Sequence, residues 1–493
     1  MEWEMDSSVG AHDLASRLGG WSGGEGPLYR KLATALERAV ADGTLAPGER
    51  LPSERALATA LAVSRTTVVA AYDALRGTGL LDSRQGSGTR VSDRVRPAVP
   101  RRLRDSAGLS LYQRLLDGPG DLISLACVTT EAIPPVADII RETAERHLAD
   151  LLTESSYHPR GLPELREAVA DHYTGLGLPT SPDQIVVTTG VQQAVAFVCD
   201  LYLYRGSTAL IESPSFAGCL DLLRAAGADL LTVPVDEEGA DVERMRRRMR
   251  ERRPDLVYLM PSYQNPTGVL MSAARRRQIA ELVAEYGVPL FEDGAYTGLR
   301  VPHEPPPIAA FAPPGTEVIT AASVGKIAWA GLRIGWLRAS AATAERISRR
   351  KAVTDLGSPL LDQAIAARLV RRWPQISAAR SELLAERMAL LEEGLRARLP
   401  EWRWRRPDGG AALWVQLPDG TDARVFAQVA LRHGVEVVPG SVMAPCGDHD
   451  SFFRLTFSHS AETLTELVDR LARAWQDLRR HGPVEDYAPR VVV

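Results

Sequence analysis

EVITAASVGKIAWAGLRIGW, residues 317–336, is the stretch on which the reading of this chain turns. Its first half is a short apolar run closing in small residues, which predicts a buried strand that runs out into a tight turn. Ser323-Val324-Gly325-Lys326 makes that turn, and Arg333 follows seven residues after the lysine. A lysine just past a strand can condense with an aldehyde cofactor, and a serine and an arginine nearby can bind that cofactor's phosphate. The lysine count sharpens the point. Of 58 Lys and Arg residues only Lys31, Lys326 and Lys351 are lysines. Arginine carries almost all the positive charge, and its permanently protonated guanidinium cannot form such a bond.

Three further stretches close other predicted strands. Phe291-Glu292-Asp293-Gly294-Ala295-Tyr296 puts a carboxylate at a strand's end with a tyrosine three residues on, which suits a ligand in the crevice outside a sheet. Pro261-Ser262-Tyr263-Gln264-Asn265-Pro266-Thr267-Gly268 is, by itself, a turn signal. Thr188-Thr189-Gly190-Val191-Gln192-Gln193 carries a strand into a helix N-terminus, where free amides and the helix dipole favour a phosphate. From about residue 121 the strands QIVVTTG, TALIES, DLVYLMPS, VPLFEDG and EVITAAS alternate with helical stretches such as SAARRRQIAELVAEYG. That alternation predicts an α/β domain with a mostly parallel sheet. Long helices with AALWVQL and FFRLTFS, from about residue 375, predict a smaller α+β subdomain.

The other end of the chain reads differently. Leu28, Leu32, Leu36 and Val40 recur on one face of a helix that Gly43 and Pro47-Gly48 end. Ser53 and Ser64 are placed to cap two further helices, and LLDSRQGSGTRV predicts two short strands around a Gly-Ser-Gly turn. Helix, helix, turn, helix and hairpin make a winged helix-turn-helix. Residues 27–95 hold ten Arg or Lys against seven Asp or Glu, in a chain whose net charge is −4. A positive module in an acidic chain suits phosphate. Ser64-Arg65-Thr66-Thr67 would open the recognition helix, offering hydroxyls and a guanidinium to base edges. Residues 1–26 read as a mobile arm and 96–120, rich in Pro, Arg and Gly, as a linker to a domain over 121–493.

The remaining composition narrows the classes. At 493 residues, 45% hydrophobic and 24% charged, the chain is multidomain and globular. No apolar run approaches the roughly 18 residues of a membrane span. MEWEMDSSVG is acidic where a secretory signal is basic, and four scattered cysteines form no C-x-x-C pair. A metal site and a disulfide framework are not expected. A cytoplasmic location is.

The stretch LAPGERLPSERALATALAVSRTTVVAAYDALRGTGLLDSRQGSGTRV strongly resembles the GntR-type winged-helix domain of bacterial regulators. The resemblance implies contacts to double-stranded operator DNA from Arg55, Ser64, Arg65, Thr66 and Thr67, and from Gln85 and Gly86 on the wing. The four C-terminal motifs, in order over about 121–475, resemble fold-type I pyridoxal-phosphate (PLP) enzymes of the aspartate aminotransferase class. By that resemblance Lys326 binds the cofactor's aldehyde carbon. Asp293 pairs with the pyridine nitrogen, Tyr296 and Asn265 with the phenolic oxygen, and Phe216 stacks on the ring. Gly190, Val191, Gln192, Ser323 and Arg333 fall where the family grips the phosphate. Tyr157 matches a tyrosine that reaches the partner subunit's cofactor, and Arg454 the arginine that clamps a substrate carboxylate. Gly325 departs from the family's usual serine, and Gly294-Ala295 interrupts the Glu-Asp-Asp-Tyr-Asp run usual in fused regulators.

The fusion as a whole resembles the MocR-type regulators. It implies a homodimer that binds DNA and senses PLP, an amino compound, or both. Two other outcomes are compatible with the motifs: a working aminotransferase with an accessory DNA-binding domain, or a degenerate domain that only dimerises. The last has no need of Asp293, Tyr296 and Lys326 together.

Overall fold

The computed structural model describes residues 9–23, 26–84, 88–93, 122–128, 131–154, 157–299 and 304–481. The expected linker, Gln85 and Gly86 lie outside these residues.

The N-terminal module is built from α1 (Ala11–Arg17), α2 (Leu28–Ala41), α3 (Glu54–Leu61), α4 (Arg65–Gly77) and the antiparallel hairpin β1 (Leu81–Arg84) and β2 (Gly88–Val91). Leu32, Leu36 and Val40, four residues apart, bury one stripe of α2 against Leu57, Leu61, Val68, Tyr72 and Leu75. Ser53 Oγ accepts from Ala56 N and Ser64 Oγ from Thr67 N, so both predicted serines cap their helices. One expectation is corrected here. Residues 9–22 are not a free arm, because Val9, Leu14, Ala15 and Trp21 enter this module's core and α1 lies on α3. The Gly-rich run around Trp21 hid the short apolar pattern of AHDLASRL.

The large domain holds an eight-stranded sheet in the order β4-β11-β10-β9-β8-β5-β6-β7. These strands are β4 (Ile185–Thr188), β5 (Thr208–Ser213), β6 (Asp229–Asp236), β7 (Gly239–Ala240), β8 (Leu256–Leu259), β9 (Leu290–Asp293), β10 (Val318–Ser323) and β11 (Gly335–Arg338). From β10 to β6 all neighbours are parallel, and β11 runs antiparallel between β10 and β4. The inner parallel strands β5, β8, β9 and β10 are buried on both faces, which is why they read as unbroken apolar runs, whereas β6 near the sheet edge is largely half-exposed. β11 brings the chain back against the start of the helix Val191–Tyr202. A Cβ on Gly335 would sit 2.7 Å from Gly190 Cα and 2.9 Å from the Ala322 carbonyl, so only glycine lets these backbones meet.

The smaller subdomain is the antiparallel sheet β12-β13-β16-β15, made of β12 (Arg403–Trp404), β13 (Ala412–Gln416), β15 (Val438–Pro439) and β16 (Phe452–Thr456). The helices Trp373–Arg398, Ala423–Arg432 and Ala461–His481 pack with it, and Trp402 is set edge-on to Phe426, Phe453 and Trp475. A separate parallel pair, β3 (Ile123–Ser124) with β14 (Val435–Glu436), ties the segment after residue 121 to this subdomain.

The N-terminal module is docked on the helix Ala423–Arg432. Arg432, the last residue of that helix, donates from its two terminal nitrogens to the carbonyls of Leu61 and Ala62, each at 3.1 Å. Those carbonyls close α3, where no further helical amide can reach them. Trp21 Nε1 adds a bond to Gln428 at 3.3 Å. Bonds to a charged donor contribute roughly 1.5–3 kcal/mol each. Arg432→Ala is therefore expected to split calorimetric unfolding, with the N-terminal module melting first and the large domain unchanged. A single unshifted transition would show that Arg432 does not hold the module.

Candidate functional site

At the carboxyl ends of β9 and β10 lies a cavity of about 180 Å³. Gly190, Val191, Gln192, Phe216, Asn265, Asp293, Tyr296, Ser323, Lys326, Arg333 and Arg454 all line it. Four separate sequence motifs and one arginine of the smaller subdomain thus meet around one space. Tyr157 is not among them; it is 74% exposed on the outer surface.

Each side chain is placed by its element. Asp293 ends β9, with Oδ1 accepting from Ala295 N at 2.8 Å and Oδ2 from the Tyr258 hydroxyl at 2.5 Å. Burial pushes its carboxyl above the usual range, and the Tyr258 bond works the other way. Tyr296 is buried and its phenol is pushed up to about 12, chiefly by desolvation, while Arg454 opposes the rise. Lys326 sits in one helical turn, Val324–Ile327, that follows β10 directly. Its amine donates to the Val128 carbonyl. Its pKa is lowered from the ordinary 10.5 to about 8, chiefly by desolvation; Cys127 opposes the fall, and Arg454 and Arg333 add to it.

Gly190, at φ 132°, opens the helix whose first amides belong to Val191 and Gln192. Arg333 adopts a left-handed φ of 51° and lays its guanidinium over Gly190. Arg454, on β16, is 2% exposed. It donates to the carbonyls of Leu125 at 2.9 Å and Ala126 at 2.6 Å and to Asn265 Oδ1 at 3.3 Å, while its Nε has no partner.

The charges do not balance inside the cavity. Lys326, Arg333 and Arg454 face one carboxylate, Asp293, and among the described residues none of the three forms an ion pair. Arg454 is buried and Lys326 half-buried, while Arg333 reaches solvent, and a buried cation is stabilised when something anionic compensates it. A ligand carrying a phosphate at the Gly190 helix end and a carboxylate at Arg454 supplies that compensation. A phosphorylated pyridine aldehyde fits this donor set, with Asp293 for a ring nitrogen and Lys326 for the aldehyde.

The departures from the family pattern have a steric reading. At Gly294 a Cβ would lie 2.7 Å from the Ala321 carbonyl and 2.9 Å from Thr297 Oγ1, so the strand end excludes the usual aspartate. At Gly325 the nearest atom to a Cβ would be Ser323 Oγ at 3.6 Å, so space does not demand glycine there. Two contributors escaped the sequence reading. Leu125–Val128 supplies main-chain carbonyls, which no residue type betrays. Tyr258 sits inside a strand that reads as plain core.

On the N-terminal module Arg55, Arg65 and Thr66 are exposed, and neither arginine forms an ion pair among the described residues. Ser64 is committed locally, its Oγ lying 2.7 Å from Thr66 Oγ1 and 2.8 Å from Thr67 Oγ1. The face of α4 that carries Arg65 and Thr66 is open, while Val68, Ala71, Tyr72 and Leu75 anchor the other face.

Two family profiles match the chain. "Aminotransferase class I and II" matches residues 128–471 and "Bacterial regulatory proteins, gntR family" residues 28–91. The uncharacterised HTH-type transcriptional regulator YisV of Bacillus subtilis is 31% identical over 92% of this chain and 96% of its own. The probable rhizopine catabolism regulatory protein MocR of Rhizobium meliloti is 27% identical over 84% of this chain and 86% of its own. Among solved structures, LysN, the α-aminoadipate aminotransferase of Thermus thermophilus complexed with N-(5'-phosphopyridoxyl)-L-leucine, superposes with a TM-score of 0.67 at 28% identity. It covers 75% of this chain and 95% of its own.

The lowered Lys326 pKa has a measurable consequence. Only the neutral amine attacks an aldehyde, and its fraction rises as pH passes upward through about 8 rather than 10.5. The rate of PLP condensation is expected to climb between pH 7 and 9 and then level off. Borohydride should trap the label on Lys326, and Lys326→Ala should take up none. A label on Lys31 or Lys351 would break the assignment.

Proposed function

Because the chain belongs to the aminotransferase class I and II family and carries a gntR-family module ahead of that domain, we propose that it is a PLP-dependent transcriptional regulator of the MocR type. Residues 27–95 bind operator DNA, 96–120 link, and 121–493 sense PLP or an amino compound held with it. PLP supplies an electrophilic aldehyde and an electron-withdrawing ring. Lys326 holds the aldehyde carbon, Asp293 the ring nitrogen, Tyr296 and Asn265 the phenolic oxygen, and Phe216 the ring face. Gly190, Val191, Gln192, Ser323 and Arg333 take the phosphate, and Arg454 orients the carboxylate of the amino compound.

One observation favours a sensor. The main chain from Ile123 to Val128 bonds Lys326 and Arg454 at one end and pairs with β14 at the other. β14 begins three residues after Arg432, which grips α3 of the DNA-binding module. Ligand contacts at Arg454 and Lys326 therefore act on a short covalent and hydrogen-bonded path to that module. A ligand shifts such an equilibrium only by binding the two states differently.

A homodimer in the cytoplasm completes the reading. Tyr157 is exposed and free to reach a second copy, whose phosphate site it would complete.

The second reading, an active aminotransferase, draws support from the full set of Lys326, Asp293, Tyr296 and Arg454 around one cavity. Two measurements separate the readings. PLP plus an amino acid should change operator affinity in the wild type and not in Arg454→Ala, which still binds PLP. Steady-state transfer between an amino acid and a keto acid near the ~10 s⁻¹ usual for enzymes would favour the enzyme instead.

DNA reading has its own test. Arg65→Ala should relax preference at one base pair by roughly 1–3 kcal/mol, the size of a bidentate arginine–guanine contact. A loss spread equally over all sequences would reduce Arg65 to a phosphate contact.

A further inference from the structure

We propose that Tyr258, supported by Cys219, is a positioning residue that fixes where the proton lies between Asp293 and the pyridine nitrogen of PLP; this rests on the PLP reading above. The strand geometry makes the contact. β8 and β9 are parallel, with Tyr258 opposite Phe291 and Asp293 two residues further along the same face. The Tyr258 and Phe291 rings stack with centroids 5.7 Å apart and planes 4° apart, and the Tyr258 hydroxyl donates to Asp293 Oδ2.

Tyr258 is fully buried, and burial keeps its hydroxyl protonated at any working pH, so it is a donor. Its single proton goes to Asp293, so its oxygen is left as an acceptor toward the Cys219 thiol, which interacts with the same hydroxyl. Burial likewise keeps that thiol protonated. A short chain of donors therefore ends on one oxygen of Asp293, while the Ala295 amide occupies the other. Both bonds lock the carboxylate's rotation and stabilise its charged form.

The consequence concerns one proton. Asp293 and a pyridine nitrogen share it, and each lost donor makes the carboxylate more basic. Without Tyr258's hydroxyl the proton moves off the nitrogen and onto Asp293, and the ring withdraws electrons less. Tyr258 donates to Asp293 from a side chain, whereas the Ala295 bond comes from the main chain and survives side-chain substitution.

The test uses full-length protein loaded with PLP labelled with 15N in the ring. The wild type should show the resonance of a protonated ring nitrogen. Tyr258→Phe, which keeps the stacking ring, should move it toward the neutral position and weaken PLP binding roughly ten- to a hundred-fold, as expected for a lost bond to a buried charge. Cys219→Ala should move it the same way by less. Loss of packing alone would lower thermal stability and leave the resonance where it was, so an unmoved resonance in Tyr258→Phe overturns the proposal. Should that variant fail to fold, an unmoved resonance in Cys219→Ala overturns it equally. A wild type that takes up no PLP sinks the PLP reading itself, and this inference with it.

Discussion

Uncompensated positive charge at the carboxyl ends of a parallel sheet is the constraint around which this molecule is arranged. Lys326, Arg333 and Arg454 come from three separate places in the chain and meet one carboxylate. Arg333 reaches solvent, but Lys326 and Arg454 are drawn into the fold, where a charge needs fixed dipoles or a counter-ion. The protein spends main-chain carbonyls on two of them, those of Val128 for Lys326 and of Leu125 and Ala126 for Arg454. It also lowers the charge of the lysine by desolvating it. The remaining imbalance gives the cavity its appetite for an anion with two ends.

That arrangement depends on a few backbone approaches that tolerate no side chain. Gly335 and Gly190 allow β11 to return beside the helix that offers its amides, and this return brings Arg333 over Gly190. Gly294 lets the end of β9 lie against Ala321, so that Asp293 faces the cavity and the chain turns into Tyr296. The departure from the family's usual residues at Gly294 thus follows from local packing, whereas Gly325 sits in ordinary space.

The same carbonyl-bearing segment makes the molecule more than two modules on a string. Ile123–Val128 belongs in sequence to the junction after residues 94–121, yet in space it lies between the cavity and the subdomain that docks α3. Trp21, four residues past α1, reinforces the docking through Gln428, and α1 shares a core with α3.

Much of this was legible in residue order because it depends on local periodicity and short-range chemistry. The amphipathic stripe of α2, the serine caps, the buried parallel strands and the positions of Lys326, Asp293 and Asn265 at strand ends all follow from patterns a few residues long. What only the tertiary structure decided involves partners far apart in the chain. The helix in the expected arm is stabilised by the core it shares with α3, not by its own weak pattern. The antiparallel direction of β11 is set by its neighbours β10 and β4, because a tetrapeptide such as Gly-Trp-Leu-Arg carries no direction of its own. Tyr258 became a partner of Asp293 only when β8 and β9 paired in register, for a tyrosine in a core strand looks the same in sequence whether its hydroxyl meets a carboxylate or a methyl group.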